Sequence, residues 1–173
     1  FITESSQDGK FRIVSCSYVV PVKRIDLLIH GLTELGQKHP EGSFEWVHIG
    51  YGPLKEQMEN MARRCFPKNI QFCFLGYIPN PEVISIYRNS QIDVFINVSS
   101  SEGIPVSIME AQSCGIPVIA TAVGGTPEIV SSDVGALLSK NPTPQEIADA
   151  IWTLKTDTNR LELLKKNSKS NWN

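Results

Sequence analysis

Residues 92–122 read IDVFINVSSSEGIPVSIMEAQSCGIPVIATA, and this stretch decides the fold. At its two ends, residues 92–98 and 117–122 are short apolar runs, and each run predicts a strand that is covered on both faces. Between the runs, Pro105 suits the first turn of a helix and Gly115 suits its end. A buried strand, a helix and a second buried strand in succession are typical of a parallel sheet with crossover helices.

The rest of the chain continues this alternation. Further strands are predicted over residues 11–17, 44–49, 70–75 and 136–138, and further helices over 23–37, 54–65, 81–88, 127–130 and 144–154. We therefore expect the α/β class, with a Rossmann-like doubly wound parallel sheet of about six strands. In such a sheet a ligand binds outside the carboxyl ends of the strands, so the loops that follow the strands should surround the site.

Length, charge and cysteine content limit the function. A chain of 173 residues fits one domain. Its 16 Lys and Arg against 18 Asp and Glu give a net charge of −2, which disfavours nucleic acid as a partner because such binders are usually basic. No apolar run approaches the ~20 residues of a membrane helix. The four cysteines lack the C-x-x-C spacing, which favours reduced, buried thiols and a cytoplasmic protein.

The two ends of the sequence indicate a larger protein. The chain begins with Phe1 rather than Met, so we expect a piece of something longer. The tail at residues 156–173 is largely polar, with one late Trp172. It should lead into a segment that continues elsewhere.

Several common site motifs are absent from the sequence or incomplete in it. Gly50 and Gly52 follow a predicted strand, but a dinucleotide fingerprint would need a third glycine where Lys55 stands, so NAD and FAD are disfavoured. The two glycines indicate either a tight turn or close approach to a ligand. His48 alternates with apolar residues in its strand and should be packed in the sheet. The sequence has no P-loop, D-x-D, H-E-x-x-H or Cys/His cluster, so we expect neither a metal nor a cofactor.

The segment from Glu102 to Glu110 predicts a ligand site. Gly103 lets the backbone approach a ligand closely, and the N–H groups of Val106 and Ser107 would point at an anion such as pyrophosphate. The two carboxylates are separated by roughly 8 Å of helix, about the span from a sugar to a ribose across a diphosphate, and carboxylates accept hydrogen bonds from hydroxyls. Either glutamate alone is usually a solvated or helix-capping residue, whereas the joint pattern indicates recognition of a nucleotide sugar.

Six segments together resemble glycosyltransferase family 4, specifically the C-terminal nucleotide-sugar-binding half of its two-domain GT-B fold. In chain order they are PVKRIDLLI at Pro21, HIGYGPL at His48, FLGYIPNPEVISIY at Phe74, EGIPVSIMEA at Glu102, CGIPVIATAVGGTPEIV at Cys114 and VGALL at Val134. The resemblance covers residues 11–154. EGIPVSIMEA matches the E-x₇-E signature of the family. That spacing is weak evidence for the family on its own, but together with the other five segments it makes a specific match.

The resemblance implies a role for each matching residue. Glu102 would contact hydroxyls of the transferred sugar and Lys23 would pair with the donor phosphates, as the catalytic residues. Glu110 would accept hydrogen bonds from the ribose. The other donor-binding residues would be Ser17, Gly50, Gly52, Gly103, Ile104, Pro105, Val106, Ser107 and, framing the nucleobase, Tyr77 and Ile78.

One position departs from the family pattern. The family usually places an Arg just after the first strand, where this sequence has Ser17. One phosphate-binding cation is therefore missing, and Lys23 or Arg24 would have to supply more of the positive charge.

The function implied is that of the donor-binding domain of a retaining, metal-independent glycosyltransferase, which moves a sugar from a nucleotide-diphospho-sugar to an acceptor such as a glycan or a lipid-linked sugar. Residues 1–173 would form this single domain, and the N-terminal acceptor domain would be absent, so the piece alone should be inactive. We expect a cytoplasmic protein that in its full-length form could attach to a membrane surface.

Two alternatives remain. A non-catalytic nucleotide-sugar-binding homologue is favoured by the missing Arg and disfavoured by the retained pair, Glu102 and Glu110. A related GT-B enzyme, such as a nucleotide-sugar epimerase, is disfavoured because the E-x₇-E block fits family 4 better.

Overall fold

A single parallel sheet of six strands forms the centre of the protein in the computed structural model, which describes residues 6–170. Residues 1–5 and 171–173, and with them Phe1 and Trp172, lie outside the described residues. The strands are β1 (Lys10–Cys16), β2 (Ser43–Ile49), β3 (Ile70–Gly76), β4 (Val94–Asn97), β5 (Val118–Thr121) and β6 (Gly135–Leu138). Their order is β3-β2-β1-β4-β5-β6, which confirms the predicted Rossmann-like doubly wound sheet. The order reverses between β1 and β4, and this switch point is where ligands bind in such folds.

Helices cover both faces of the sheet. They are α1 (Ile25–Lys38), α2 (Lys55–Cys65), α3 (Asn80–Asn89), α4 (Val106–Ser113), α5 (Thr126–Ile129), α6 (Pro144–Thr156) and α7 (Thr158–Ser170). One core cluster holds apolar residues of α1, α2, α6 and α7, and the other holds those of α3 and α4. Every side chain of β4 and β5 is buried, because these central strands are packed on both faces. None of the helices in residues 6–170 is long and apolar enough to cross a membrane.

The start of the first predicted helix differs from the structure. We expected a helix from residue 23, but Pro21–Lys23 form a 3₁₀ turn. Arg24 then has a left-handed φ of 48°, which separates this turn from the start of α1. A non-glycine residue in this region costs about 1–2 kcal/mol because its Cβ crowds the backbone. The interruption turns Lys23 out of the α1 helix and into the loop at the carboxyl end of β1.

The prediction of buried thiols is right for only part of the cysteines. All four are free; Cys114 is buried, Cys16 and Cys65 are half-buried, and Cys73 is exposed. Cys73 lies in β3, an edge strand of the sheet whose alternate residues face solvent. Its apolar neighbours in sequence therefore did not predict its burial.

The polar tail forms helix α7, which we did not predict from the sequence. The helix buries Leu161 and Leu164 on the sheet side, and with them Lys165, which is only 1% exposed. Lys165 Nζ donates to Ile92 O at 2.8 Å and lies 3.9 Å from Asp93 Oδ1, at the amino end of β4. The long lysine side chain therefore links α7 to the amino end of the central strand β4.

Removing the charge of Lys165 should destabilise the fold. In Lys165→Met, the shape of the side chain is nearly kept, but Ile92 O loses its buried donor, and Asp93, which still accepts from Ser6 N and Arg12 N, loses the nearby lysine charge. Breaking a buried pair in this way costs about 3–5 kcal/mol, so urea unfolding should show a free energy of unfolding lower by that order. The exposed neighbour Lys166, changed to Met, serves as the matched control and should stay within about 0.5 kcal/mol of the unmodified chain. Equal unfolding midpoints for the two variants would contradict this role of Lys165.

Candidate functional site

An ion pair joins the loops that follow β1 and β4, at the switch point of the sheet. Lys23 Nζ lies 2.7 Å from Glu102 Oε1, and Asn97 Nδ2 donates to the same oxygen at 3.0 Å. The side chains of Lys23 and Glu102 are 22% and 9% exposed, so the pair is partly shielded from water. The structure thus brings together the two residues to which the sequence resemblance gave catalytic roles.

The surroundings of Glu102 keep its carboxylate charged. Burial alone would raise the pKa of Glu102, but contacts with Lys23, Ser99 and Asn97, together with the positive charge of Lys23, outweigh burial and hold the pKa below its usual value. At neutral pH the side chain is therefore an ionised hydrogen-bond acceptor. Its Oε1 atom accepts hydrogen bonds from two donors, Lys23 Nζ and Asn97 Nδ2.

Two neighbouring segments fix the backbone of the Glu102 loop. Gly125 N–H donates to Gly103 O at 2.8 Å. Gly124 has a φ of +53°, and a Cβ at that position would lie 1.7 Å from Glu102 O, so only glycine fits there. On the other side, Ser100 N–H donates to Val22 O at 2.9 Å, which ties the loop to the 3₁₀ turn that ends at Lys23. These main-chain contacts hold the two loops on either side of the ion pair.

Arg24 does not supply a second cation to this site. Its guanidinium donates to Val98 O at 2.6 Å and to Ser99 O at 2.9 Å, and also to Lys140 O at 3.0 Å. These carbonyls lie just after β4 and β6, where strand ends leave acceptors unpaired. The expectation that Arg24 could replace the missing Arg at Ser17 finds no support in this geometry, because the guanidinium is held by the main chain.

Helix α4 begins beside the ion pair with unpaired donors. Within residues 6–170, the N–H groups of Val106 and Ser107 have no hydrogen-bond acceptor, whereas the next N–H, that of Ile108, donates to Pro105 O at 3.1 Å. Unpaired N–H groups in a first helical turn attract anions. Ile104 and Val106 carry exposed side chains, so the backbone here is open to a ligand.

Glu110 lies one helical turn further along α4. It is half-buried, and Asn80 Nδ2, at the start of α3, donates to its Oε1 atom. Its negative charge raises the pKa of Tyr87 and of Cys16, although burial is the larger cause for both. Glu110 therefore lies near the carboxyl end of β1 and faces the region between α3 and α4.

A cavity of about 320 Å³ opens beside the Lys23–Glu102 pair, at the carboxyl ends of β1 and β2. Six residues that we predicted for the site line it: Ser17, Lys23, Gly50, Tyr77, Ile78 and Ser107. The other predicted residues lie outside its lining, on the loop and helix next to it or, for Gly52, on the turn after β2. Within residues 6–170, no group of three or more His, Cys, Asp or Glu side chains is placed to hold a metal ion.

Two tyrosines in this cavity were missed from the sequence. Tyr51 packs edge-on against Tyr18, with ring centroids 4.7 Å apart, and against Tyr77, with centroids 5.6 Å apart. All three rings are at least 46% exposed, which is unusual for a cluster of large aromatic side chains. The available signal was their position: each tyrosine follows the carboxyl end of a strand.

The glycines at positions 50 and 52 serve the packing of two loops. A Cβ on Gly50 would lie 1.9 Å from Ser17 O, and one on Gly52 would lie 2.5 Å from Val19 O. The chain after β2 therefore runs against the chain after β1, and this approach explains the need for glycine. Gly50 also lines the cavity, so its contact with a donor stays a prediction, as does that of Gly52.

A buried chain of hydrogen bonds within β1 and β2 leads to the backbone of the loop at Ser17. Trp46 Nε1 donates to Ser15 Oγ at 2.9 Å, and Ser15 Oγ lies 2.8 Å from His48 Nδ1. His48 Nε2 lies 3.2 Å from Ser17 O, which can only accept, so Nε2 carries the proton and Nδ1 accepts from Ser15. His48 is 0% exposed, which confirms that it is packed in the sheet, and burial lowers its pKa to about 4.

The fold is that of a glycosyltransferase domain. The sequence matches the family model described as "Glycosyl transferases group 1" over residues 3–171, and the chain belongs to this family. The six-stranded sheet has the fold of solved glycosyltransferase domains, among them the C-terminal domain of LpcC from Francisella tularensis.

The relatives of this chain are longer glycosyltransferases. The D-inositol 3-phosphate glycosyltransferase of Kribbella flavida is 31% identical over 156 residues, which cover 86% of this chain and 36% of that protein. The gpi3 component of the phosphatidylinositol N-acetylglucosaminyltransferase of Schizosaccharomyces pombe is 30% identical over 145 residues, which cover 84% of this chain and 30% of that protein. The chain therefore spans about a third of the length of these curated relatives.

Two solved structures illustrate the likeness of the fold. A TarM variant of S. aureus, in complex with fondaparinux, alpha-GlcNAc-glycerol and UDP, matches with a TM-score of 0.77 at 22% identity, covering 99% of this chain and 34% of that one. HepE of Anabaena, in complex with UDP-glucose, matches with a TM-score of 0.76 at 23% identity, covering 94% and 43%.

The buried His48 should make the stability depend on pH. Unfolding exposes an imidazole with a pKa near 6.5, whereas the folded protein keeps the pKa of His48 at about 4, so the unfolded state binds more protons between these values. The free energy of unfolding should therefore fall as the pH drops from about 6.5 to 4, by on the order of 3 kcal/mol. Urea titrations across this range measure it. His48→Gln should flatten the slope, whereas His30→Gln, at an exposed position, should keep it; an equal slope in all three chains would contradict the assignment.

Proposed function

We propose that this chain is the donor-binding domain of a retaining glycosyltransferase of family 4, which transfers a sugar from a nucleotide-diphospho-sugar to an acceptor. The observation that carries this is the Lys23–Glu102 ion pair, 2.7 Å long, beside the unpaired first turn of α4. Membership of a glycosyltransferase family supports the reaction class. Retention of the anomeric configuration is taken from the resemblance to family 4.

The donor diphosphate would lie between Lys23 and the start of α4. When the bond between the anomeric carbon and the phosphate oxygen breaks, the electron pair stays with the nucleoside diphosphate, which gains negative charge. Lys23 and the N–H groups of Val106 and Ser107 would stabilise that charge, and such fixed donors are usually the largest contribution to catalysis. The backbone of Gly103, Ile104 and Pro105 would complete the phosphate site. These groups would need no divalent metal ion.

The sugar and the nucleoside would bind on opposite sides of the diphosphate. Glu102, ionised at neutral pH, would accept hydrogen bonds from sugar hydroxyls and hold the anomeric carbon in position. Glu110 would accept from the ribose, and Tyr77 and Ile78, which line the cavity, would frame the base. Ser17 and Gly50 would lie under the phosphates.

The acceptor would bind in a part of the enzyme beyond this domain. Curated relatives are named as transferases acting on phosphatidylinositol or on D-inositol 3-phosphate, and solved relatives hold UDP or UDP-glucose. We extend the proposal to a hydroxyl acceptor, either a glycan or a lipid-linked sugar. We also place the full-length protein in the cytoplasm, with attachment at the membrane surface.

One observation favours a second candidate, a nucleotide-sugar-binding homologue without transferase activity. Ser17 stands where the family has an Arg, and the guanidinium of Arg24 is held by carbonyls of the main chain. Lys23 is then the main cation for two phosphates. Sugar transfer by the full-length protein would exclude this candidate, and its absence alongside intact donor binding would favour it.

The chain should bind a nucleoside diphosphate in the presence of EDTA and should transfer no sugar on its own. Calorimetry with UDP, GDP and ADP measures the binding. Glu110→Ala should weaken it by about 1.5–3 kcal/mol, the range for hydrogen bonds to a charged group. The exposed Glu56, changed to Ala, is the control and should bind normally. No binding by the unmodified chain, or unchanged affinity in Glu110→Ala, would contradict the assignment of the ribose site.

Glu102→Gln should separate recognition of the sugar from recognition of the diphosphate. The substitution keeps the size and one acceptor oxygen but removes the charge that pairs with Lys23. Affinity for the bare nucleoside diphosphate should be at least that of the unmodified chain, because Lys23 is released to the phosphates. Affinity for the intact nucleotide sugar should fall, and in the full-length enzyme kcat should fall further, since orientation and charge matter most in the transition state.

A purely structural role for Glu102 predicts a different result. The carboxylate would then only favour the start of α4, and its loss would lower stability by ~0.3–1 kcal/mol with no selectivity between the two ligands. Glu59→Gln, which removes the charge that pairs with Lys55 and Arg63 on the surface, is the control for the loss of ion pairing away from the site. An unchanged ratio of the two affinities in Glu102→Gln would reject its role at the sugar.

A further inference from the structure

Asn80 connects the Tyr77-Ile78 loop with Glu110, two parts of the site that the sequence analysis assigned separately to the base and the ribose. It is the first residue of α3, two positions after the Tyr77-Ile78 loop, and its side-chain amide donates to Glu110 Oε1 on α4. We propose that Asn80 is a positioning residue that orients the Glu110 carboxylate for the ribose hydroxyls of the donor. This role rests on the proposed function of Glu110.

The contact gives Glu110 a fixed orientation. A glutamate side chain has several rotatable bonds, and a half-buried one samples many positions unless a partner holds it. Among the described residues, Asn80 is the one side chain that hydrogen-bonds to the Glu110 carboxylate. With Oε1 held, Oε2 stays open, and a carboxylate has enough acceptor sites to serve neighbouring hydroxyls as well as the amide.

An amide suits this task better than a cation. At the other carboxylate, Lys23 forms an ion pair with Glu102, and a ligand must compete with that ion pair. Asn80 donates a hydrogen bond to Glu110 without placing a positive charge beside it. Hydrogen bonds to a charged acceptor are roughly twice as strong as neutral ones. The ribose hydroxyls would therefore meet a carboxylate that is oriented and whose partner is an uncharged amide.

The position of Asn80 also links recognition of the base to recognition of the ribose. The Tyr77-Ile78 loop lines the cavity, and the backbone continues directly from it into Asn80. A base that shifts this loop would also shift the amide that holds Glu110. Recognition of the base and recognition of the ribose would then be coupled. An incorrect base would weaken the contacts between Glu110 and the ribose.

A comparison of ribose and deoxyribose ligands tests this role. Calorimetry on the 173-residue chain would use whichever of UDP, GDP and ADP it binds best, with the 2′-deoxy and 3′-deoxy forms of that nucleotide. The chains compared are the unmodified protein, Asn80→Ala, Glu110→Ala and the double variant. Asn89→Ala is the matched control, since Asn89 lies on the same helix and its side chain bonds only to Ser85 Oγ among the described residues. Thermal melting checks that each variant is folded.

We expect Asn80→Ala to bind the ribonucleotide about 3- to 10-fold more weakly and to lose most of its preference over the deoxy forms. That range matches one net hydrogen bond of about 1 kcal/mol. Glu110→Ala should lose the same preference, and the double variant should be no weaker than Glu110→Ala alone. A role in folding alone would lower the melting temperature and leave the preference for ribose unchanged.

Three results would overturn the inference. An unaltered ribose preference in Asn80→Ala would reject it while leaving the proposed function intact. Losses that simply add in the double variant would show that Asn80 acts independently of Glu110. Failure of the unmodified chain to bind any of the three nucleotides, or to prefer ribose, would overturn the proposed ribose site itself and this inference with it.

Discussion

The ion pair between Lys23 and Glu102 is the contact on which the geometry of this site depends. It joins the loops that follow β1 and β4, the two strands between which the sheet reverses its order. The surrounding main chain is arranged around it: Ser100 bonds to the turn before Lys23, and Gly124 allows the next loop to touch Glu102. The two side chains lie 2.7 Å apart in partial shelter from water, and this contact helps to hold the pKa of Glu102 below its usual value. An anionic ligand entering there meets a cation whose present partner is a carboxylate.

The sheet was predictable because the physics behind it is local. The buried strands around Val94 and Val118 are apolar on both faces, and only a sheet covered by helices on both sides accommodates such runs. The order of strands and helices then left few topologies, and the loops at the carboxyl ends followed from them. The meeting of Lys23 with Glu102 was not predictable from spacing, since 79 residues separate them. The resemblance to a family placed both residues at the donor site, but it did not predict that they pair.

The features that the sequence did not reveal depend on tertiary contacts. Helix α7 is polar in composition, and its few apolar residues become a packing face only against the finished core. The left-handed Arg24 is stable because carbonyls from distant strand ends receive its guanidinium. The cluster of Tyr18, Tyr51 and Tyr77 forms because three strand ends lie side by side. In each case a local pattern was outweighed by a partner far away in the chain.

The anchoring of α7 has a consequence for combining substitutions. Lys165 grips the amino end of β4, whereas the charged pair lies beyond its carboxyl end, so a strand of four residues separates them by about 13 Å. Effects of substitutions at such distances, with no shared partner, usually add. The effects of substitutions at the two ends of β4 should therefore be independent. Stabilising substitutions near Lys165 would raise the number of mutations that the domain tolerates, and they would leave ligand recognition at the carboxyl ends of the strands unchanged.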